Sequence, residues 1–243
     1  METVKLLKNR EQEFQLLEKG IRRKAVDGSA LKILEAGCGR RWPLNLDGIE
    51  YVLTGVDIDK DALEIRKNQI NDLNEIIHGD LRYIDLGSSS YDVIYNSFVL
   101  EHIGNAERVL DNFRRWLKPG GLLILRIPDR NSVWGFVARV TPFRVHVLFR
   151  KYVKPFQNAG NSAFSPYRTV YDPIVSRTGI HEYCGRNSLM IREEYARGFY
   201  LEGRGTIAVL TRLLVRMLSL LSFGKIEWRY NNLTYLIEKN QQG

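Results

Sequence analysis

Between positions 35 and 102 the chain spaces carboxylates, glycines and a histidine in an order that suits binding of a nucleotide-like molecule. A short apolar run, Leu31–Ala36, leads through Glu35-Ala36-Gly37-Cys38-Gly39. Glycines at a strand-to-helix turn let the backbone approach a ligand closely where a Cβ would collide with it. A Gly-x-Gly pair alone occurs in many turns, so the information lies in its spacing to Asp57, twenty positions after Gly37. Asp57 closes a second apolar run, Tyr51–Val56. A doubly wound sheet places a carboxylate there to accept hydrogen bonds from both hydroxyls of a ribose. An acid at a strand end also serves as a helix cap, a role for which Asp59 is at hand. Glu35 has the charge to hold a ligand ammonium. Asn96 and Ser97, ending a later apolar run, can offer backbone carbonyls to the same group.

A dinucleotide site is the obvious competitor. It would carry a third glycine close behind, opening a helix N-terminus for the pyrophosphate. Here Gly39 is followed by Arg40-Arg41-Trp42-Pro43, and the dinucleotide reading loses ground. Arg40 or Arg41 can pair with a ligand carboxylate or simply face solvent.

These residues need a sheet edge to converge on. Residues 4–26 mix charges with Leu6, Leu7, Phe14, Leu16, Leu17 and Ile21, which predicts a surface helix, whole or broken, ahead of the main fold. Strands are then predicted at Leu31–Ala36, Tyr51–Val56, Ile76–His78, Tyr91–Tyr95 and Leu122–Ile127, with helices at Lys60–Gln69 and Asn105–Trp116. This alternation predicts a parallel sheet of right-handed βαβ units. From Pro128 the rhythm fails. A helix is predicted at Asn187–Arg197, a strand near Tyr200, a long apolar segment over Thr206–Phe223 and a last strand near Leu233–Glu238. The whole chain reads as one domain. It has an N-terminal helical extension (1–28), a ligand-binding core (29–127), and insertions at 128–180 and 206–223 that form an acceptor site or an interfacial surface.

The core resembles the class I S-adenosylmethionine-dependent methyltransferases, in particular the small-molecule type with a Glu-x-Gly-x-Gly loop. LKILEAGCG is similar to that family's first motif, TGVDID to its second and HGDLRYI to its third. YDVIYNSFVLEHI resembles the fourth, and LKPGGLLILRIPD the segment entering the fifth strand. The resemblance implies an α/β fold: a Rossmann-like, mostly parallel seven-stranded sheet with an antiparallel last strand. It implies S-adenosylmethionine as methyl donor and S-adenosylhomocysteine as product. Glu35, Gly37, Cys38, Gly39, Asp57, Ile58, Asp80, Leu81, Asn96 and Ser97 are the positions it marks for the donor. Asp80 would meet the adenine amino group, with the Leu81 amide nearby.

Methyl transfer from a sulfonium needs an acceptor atom in line with the methyl carbon, and proximity supplies much of the acceleration. A hydroxyl acceptor gains from a general base, for which histidine is the usual choice. His78 precedes Gly79-Asp80 and reads as structural. His102 follows Glu101 just beyond the fourth strand, while His146 and His181 fall where acceptor sites are built. His102 and His181 are the candidate catalytic residues. The Glu-His pair recurs in family members with unlike substrates, which favours a shared structural or donor-side role for His102. No metal-ligand spacing is present, which disfavours metal-assisted chemistry.

The net charge of +8 is unevenly spread. Arg130–Tyr230 holds 16 Lys/Arg against 6 Asp/Glu, so the basic half invites a partner bearing phosphate, carboxylate or anionic lipid. Ser132–Val153 interleaves large apolar residues with arginines, and Thr206–Phe223 carries Arg212 and Arg216 four apart. Both suit a peripheral membrane surface and a lipid, isoprenoid or saccharide-like acceptor. The bland alternatives are a solvated basic surface and an apolar helix packed on the core.

A nucleic-acid substrate is disfavoured, because Asn96-Ser97-Phe98-Val99 stands where amino-methylating enzymes carry Asn or Asp, Pro, Pro and an aromatic. A non-catalytic donor-binding protein is the third alternative, opposed by the intact acid and glycine positions. Two cysteines, Cys38 and Cys184, a charged N-terminus without a leader pattern, and no run of 18 apolar residues predict a cytoplasmic protein, at most peripheral at the inner membrane face.

Overall fold

The computed structural model describes residues 3–25, 28–142, 169–198 and 205–241. His146, the later part of the Ser132–Val153 segment and the predicted strand near Tyr200 lie outside the described residues.

In chain order the elements are β1 (Lys5–Leu6), α1 (Arg10–Arg22), β2 (Leu31–Ala36), β3 (Tyr51–Asp57), α2 (Lys60–Ile65), β4 (Glu75–His78) and β5 (Tyr91–Ser97). There follow α3 (Ala106–Trp116), β6 (Leu117–Pro128), α4 (Val133–Val140), α5 (Arg177–Arg186), β7 (Leu189–Arg197), α6 (Thr206–Leu221) and β8 (Asn232–Lys239). Four helices begin where the sequence supplies a side-chain cap. Asn9, Asp59, Ser132 and Ser176 each accept a hydrogen bond from the backbone N–H three residues on.

The strands form one sheet in the order β1-β7-β8-β6-β5-β2-β3-β4. In its parallel part, β6-β5-β2-β3-β4, the inner strands β6, β5, β2 and β3 are buried on both faces and so are apolar at consecutive positions, while β4 at the edge is partly exposed. Ile33, Val93 and Ile124 point to the face covered by Leu17 and Ile21 of α1. Leu34, Ile94 and Leu125 point to the face covered by α3 and α5. The last strand, β8, runs antiparallel to both neighbours, as expected.

Three expectations are corrected. The sheet has eight strands, because Lys5-Leu6 pairs with Tyr195 and Ala196 ahead of the N-terminal helix. The Lys60–Gln69 helix closes as a π turn over Arg66–Ile70. Asn187–Arg197 is mostly strand rather than helix. A register shift between Ile191 and Glu193 breaks the two-residue alternation and leaves Leu189, Ile191, Tyr195 and Ala196 at helix-like intervals. Pairing with β8 decides the outcome over local pattern.

Of the two predicted insertions, α4 and α6 pack on each other through Val133, Val137, Val215 and Leu218, beside Trp134 and Trp228. Among the described residues no helix is long and apolar enough to cross a membrane.

Helix α1 is pinned by charge. Glu13 is buried and accepts from Arg126 Nε of β6 at 2.8 Å and from Thr234 Oγ1 of β8 at 2.6 Å. Arg197 of β7 lies 3.2 Å from its other oxygen. Burial alone would raise the Glu13 carboxyl, but the two guanidinium groups and the Thr234 hydroxyl hold it below its ordinary value. Removing one member of a buried pair strands the other charge, at a cost of about 3–5 kcal/mol. Glu13→Ala should therefore destabilise the protein by about 3 kcal/mol in urea unfolding, with Glu13→Gln intermediate. A loss below about 1 kcal/mol for the alanine variant would show that Arg126 and Arg197 do not depend on it.

Candidate active site

Both faces of the parallel sheet are covered, so open space for a ligand lies at the carboxyl ends of its strands. The loop after β2 turns there. Gly37 has φ +74°, and a Cβ on it would sit 2.3 Å from Val99 Cγ2, so the glycine is required by conformation and by space. Gly39, at φ +55°, faces open room instead. Its N–H donates to Asp57 Oδ2 at 2.8 Å, while Asp57 Oδ1 accepts from the Asp59 N–H at 2.9 Å. Asp57 thus fixes the loop and keeps lone pairs on both oxygens toward the cleft.

Beneath the loop sits Arg66, fully buried by the π turn. It reaches Glu35 at 2.9 Å and Asp72 at 2.7 Å, and donates to the Cys38 carbonyl at 2.9 Å. Burial pushes the Glu35 carboxyl up, to about 8, against the pull of Arg66. The Cys38 thiol is likewise buried and pushed up, which leaves it an unreactive packing group. Asn96 is buried below the edge and donates to the Ala36 carbonyl at 2.8 Å.

The resulting cleft encloses about 680 Å³ and is lined by Gly37, Gly39, Asp57, Ile58, Asp80, Leu81, Ser97 and His102, together with Asp59, Asp61 and Phe98. Ile58 is 67% exposed, an apolar platform on the rim. Asp80 is held by Arg82 through both carboxylate oxygens, which keeps it below the usual carboxylate range. Arg40 pairs with Asp59 at 3.1 Å. With those two acids answered, Asp57 and Asp61 leave the cleft with negative character.

The structure therefore brings Gly37, Gly39, Asp57, Ile58, Asp80, Leu81, Ser97 and His102 to one cleft, with Cys38 and Glu35 on the adjoining side of the loop. His181 is elsewhere. It lies on α5 with Nε2 3.1 Å from Glu194 Oε1, beside the Tyr235 ring, and it lines neither cavity at the glycine loop. His78 bonds the Ile58 carbonyl at 3.1 Å, in keeping with a structural role.

Several residues here gave no sequence signal. Phe98, directly after β5, sits at φ +57°, a strained place for an aromatic residue. Its ring and that of Phe14 lie 4.8 and 5.2 Å from the Arg126 guanidinium. Arg126 also donates to Ser97 Oγ at 3.0 Å and reaches Tyr95 Oη at 3.3 Å. Arg10 and Arg197 join the same edge.

The Methyltransferase domain family matches residues 34–125, which span the glycine loop, Asp57, Asp80 and β5. The ubiquinone biosynthesis O-methyltransferase of Maricaulis maris is 28% identical over 198 residues, covering 68% of this chain and 72% of that protein. A demethylmenaquinone methyltransferase of Staphylococcus haemolyticus is 27% identical over 130 residues, 51% of this chain and 52% of its own length. The chain thus spans about half the length of the menaquinone relatives it matches. Among solved structures, one from Galdieria sulphuraria assigned as a sarcosine dimethylglycine methyltransferase superposes with a TM-score of 0.58 at 15% identity, covering 96% of this chain and 86% of that one. An S-adenosylmethionine-dependent methyltransferase from Mesorhizobium loti gives 0.52 at 14% identity, covering 91% and 96%. Those two show a shared fold. The family match covers the glycine loop and its acids, so residues 34–125 are similar to a methyltransferase domain, on a fold shared with S-adenosylmethionine-dependent methyltransferases.

Proposed function

We propose that the cleft at the glycine loop holds S-adenosylmethionine, and that the enzyme methylates a small, amphiphilic acceptor presented from the side of Ser97 and Phe98. The observation that carries this reading is the Asp57 clamp. One carboxylate fixes the glycine loop and still faces a cleft of about 680 Å³, within the usual range for ligands of this size. The residues fit the donor. Asp57 can accept from both ribose hydroxyls, Ile58 offers its apolar side chain to the adenine ring, and Asp80 keeps a lone pair for the adenine amino group. The cleft's negative character suits a cationic ligand. Glu35, already answered by Arg66, acts on the methionine end by holding the loop.

When bound, the donor supplies an electrophilic methyl carbon; its bond to sulfur breaks as the bond to the acceptor forms. The protein's part is placement, exclusion of water and disposal of the acceptor's proton. His102 lines the cleft and is the residue we assign to that proton. Its Nε2 is 3.8 Å from Glu101 Oε1. Burial raises Glu101 to about 8, so its carboxyl is largely neutral at physiological pH and supplies little charge to the imidazole beside it. His181, engaged by Glu194, is left to structure.

The names of the relatives, a ubiquinone biosynthesis O-methyltransferase and a demethylmenaquinone methyltransferase, favour an apolar, quinone-like acceptor. Helix α6 supports delivery from a membrane surface. Leu210, Leu213, Leu214, Met217 and Leu221 stand exposed at helical intervals, and Phe223 follows at 94% exposure. The adjoining flank, Val215 and Leu218, packs on α4. An apolar face of this kind on a basic half-chain suits shallow insertion among anionic lipids, with the 128–180 and 206–223 insertions forming the acceptor side.

Three measurements test this. Calorimetry with S-adenosylhomocysteine should show binding that Asp57→Asn weakens by about tenfold or more, the worth of a hydrogen bond to a charged group. Unchanged affinity would remove Asp57 from the site. Vesicles containing phosphatidylglycerol should pellet the protein, and Leu210→Glu with Leu214→Glu should abolish this; equal pelleting by neutral phosphatidylcholine would count against the membrane reading.

The third concerns pH. Glu101 binds its proton more tightly folded than unfolded, so stability falls as pH rises from about 4.3 toward the raised value. The melting temperature should fall less steeply across that window in Glu101→Gln than in the parent. Parallel curves would mean that Glu101 is ionised in the fold.

A further inference from the structure

The turn that brings His102 to the donor cleft is held from behind by residues that stand outside the cleft. Phe98, Val99, His102, Ile103 and Gly104 of this turn line the cleft. On its other side the Glu101 carbonyl accepts from the Val170 N–H at 2.8 Å and from the Tyr171 N–H at 3.1 Å. Just beyond the turn, the Ala106 N–H donates to Asp172 Oδ2 at 3.1 Å. Ala106 opens α3, whose cap residue, Asn105, makes no side-chain cap bond of its own. The first amide of α3 is thus answered by a carboxylate 66 residues away, on the segment that returns from the 128–180 insertion. Tyr171 anchors that segment, buried in the same core cluster as Leu100 and Ala106.

The backbone at this junction is strained. Phe98 has φ +57°, Asn105 φ +60° and Tyr171 φ +50°. The left-handed region is costly for side chains with a bulky Cβ substituent, and such residues keep it only where their surroundings over-determine it. Phe98 and Asn105 bracket the turn, and Tyr171 belongs to the segment bonded to it. The place of the turn is therefore set by contacts on both of its sides. The adenine end of the cleft supplies another contact: Arg82, held by both oxygens of Asp80, donates from Nη1 to the Gly104 carbonyl at 3.4 Å.

We propose that Asp172 is a positioning residue for methyl transfer: with the Val170 and Tyr171 amides it holds the His102 turn at the donor cleft, so that a bound donor tightens the returning segment of the insertion and that segment tightens the donor. The inference rests on S-adenosylmethionine occupying the cleft. Coupling of this kind is reciprocal, so loosening the segment must weaken the donor, although Asp172 is not among the residues that line the cleft. The acceptor-side insertion then orders itself on a turn that the donor has set, with His102 already in place.

The test uses S-adenosylhomocysteine as probe. Calorimetry compares the parent with Asp172→Ala and Asp172→Asn. The alanine variant should bind about fivefold or more weakly. Asparagine caps helices about as well as aspartate, so that variant should stay within about twofold of the parent. Amide hydrogen exchange gives a second reading in the parent alone. Saturating S-adenosylhomocysteine should slow exchange at Val170, Tyr171 and Ala106 by about fivefold or more. Unchanged affinity in a folded alanine variant would leave Asp172 a structural cap and overturn the proposal. Exchange at those three amides that is indifferent to the ligand would overturn it too, whether or not the alanine variant folds. If the parent itself does not bind S-adenosylhomocysteine, the donor placement falls and this inference with it, and the parent titration reads that separately.

Discussion

Arg126 is the joint on which the functional edge of this molecule is assembled. It ends a buried strand, carries a charge that an apolar sheet cannot hold alone, and meets partners from three directions. Glu13 reaches it from α1, Ser97 and Tyr95 from β5, and the rings of Phe14 and Phe98 cover its faces. A buried guanidinium persists only when its donors are satisfied and its charge is answered. That requirement drags the N-terminal helix onto the sheet and fixes the turn after β5. The same group lines the second cavity at the glycine loop, so the cost of burying it is tied to the site's electrostatics.

The second constraint is the sheet itself. Because the inner strands β6, β5, β2 and β3 are covered on both faces, chemistry is confined to the carboxyl ends of the sheet. There the chain turns through Gly37 and Gly39, a path held by Asp57 above and by Arg66 below. The π turn buries Arg66 under the loop, where it meets Glu35, Asp72 and the Cys38 carbonyl together. Insertion of a residue into a helix to reposition one side chain is a recurrent device near functional sites.

Much of this was legible in the residues. β2, β3 and β5 announce themselves as short apolar runs because both of their faces are buried. Asp57 stands out because its distance from Gly37 is set by one βαβ unit. What the sequence hides are contacts between distant positions. Glu13 looks like one more charge on a surface helix, and Arg126 like an interruption in LLILRIPD. Their pairing spans 113 residues and follows only from the strand order. Strand β7 was disguised as a helix by its bulge, and β1 is too short to carry a period. His181 lies near enough in sequence to suggest an acceptor site, yet α5 places it against β7, where Glu194 engages it.

Taken along the sheet edge, the charges differ from one side of the glycine loop to the other. Asp57, Asp59, Asp61 and Asp80 line the cleft with Arg40 and Arg82 among them, while Arg10, Arg41, Arg126 and Arg197 line the adjoining side around Glu35. The loop between is held by Asp57 on one side and by Arg66 beneath. Arg66 in turn pairs with Glu35, so the carboxylates on the two sides are tied to one short stretch of backbone. A mutation that loosens this loop would therefore shift the acids on both sides together, as well as the glycines between them.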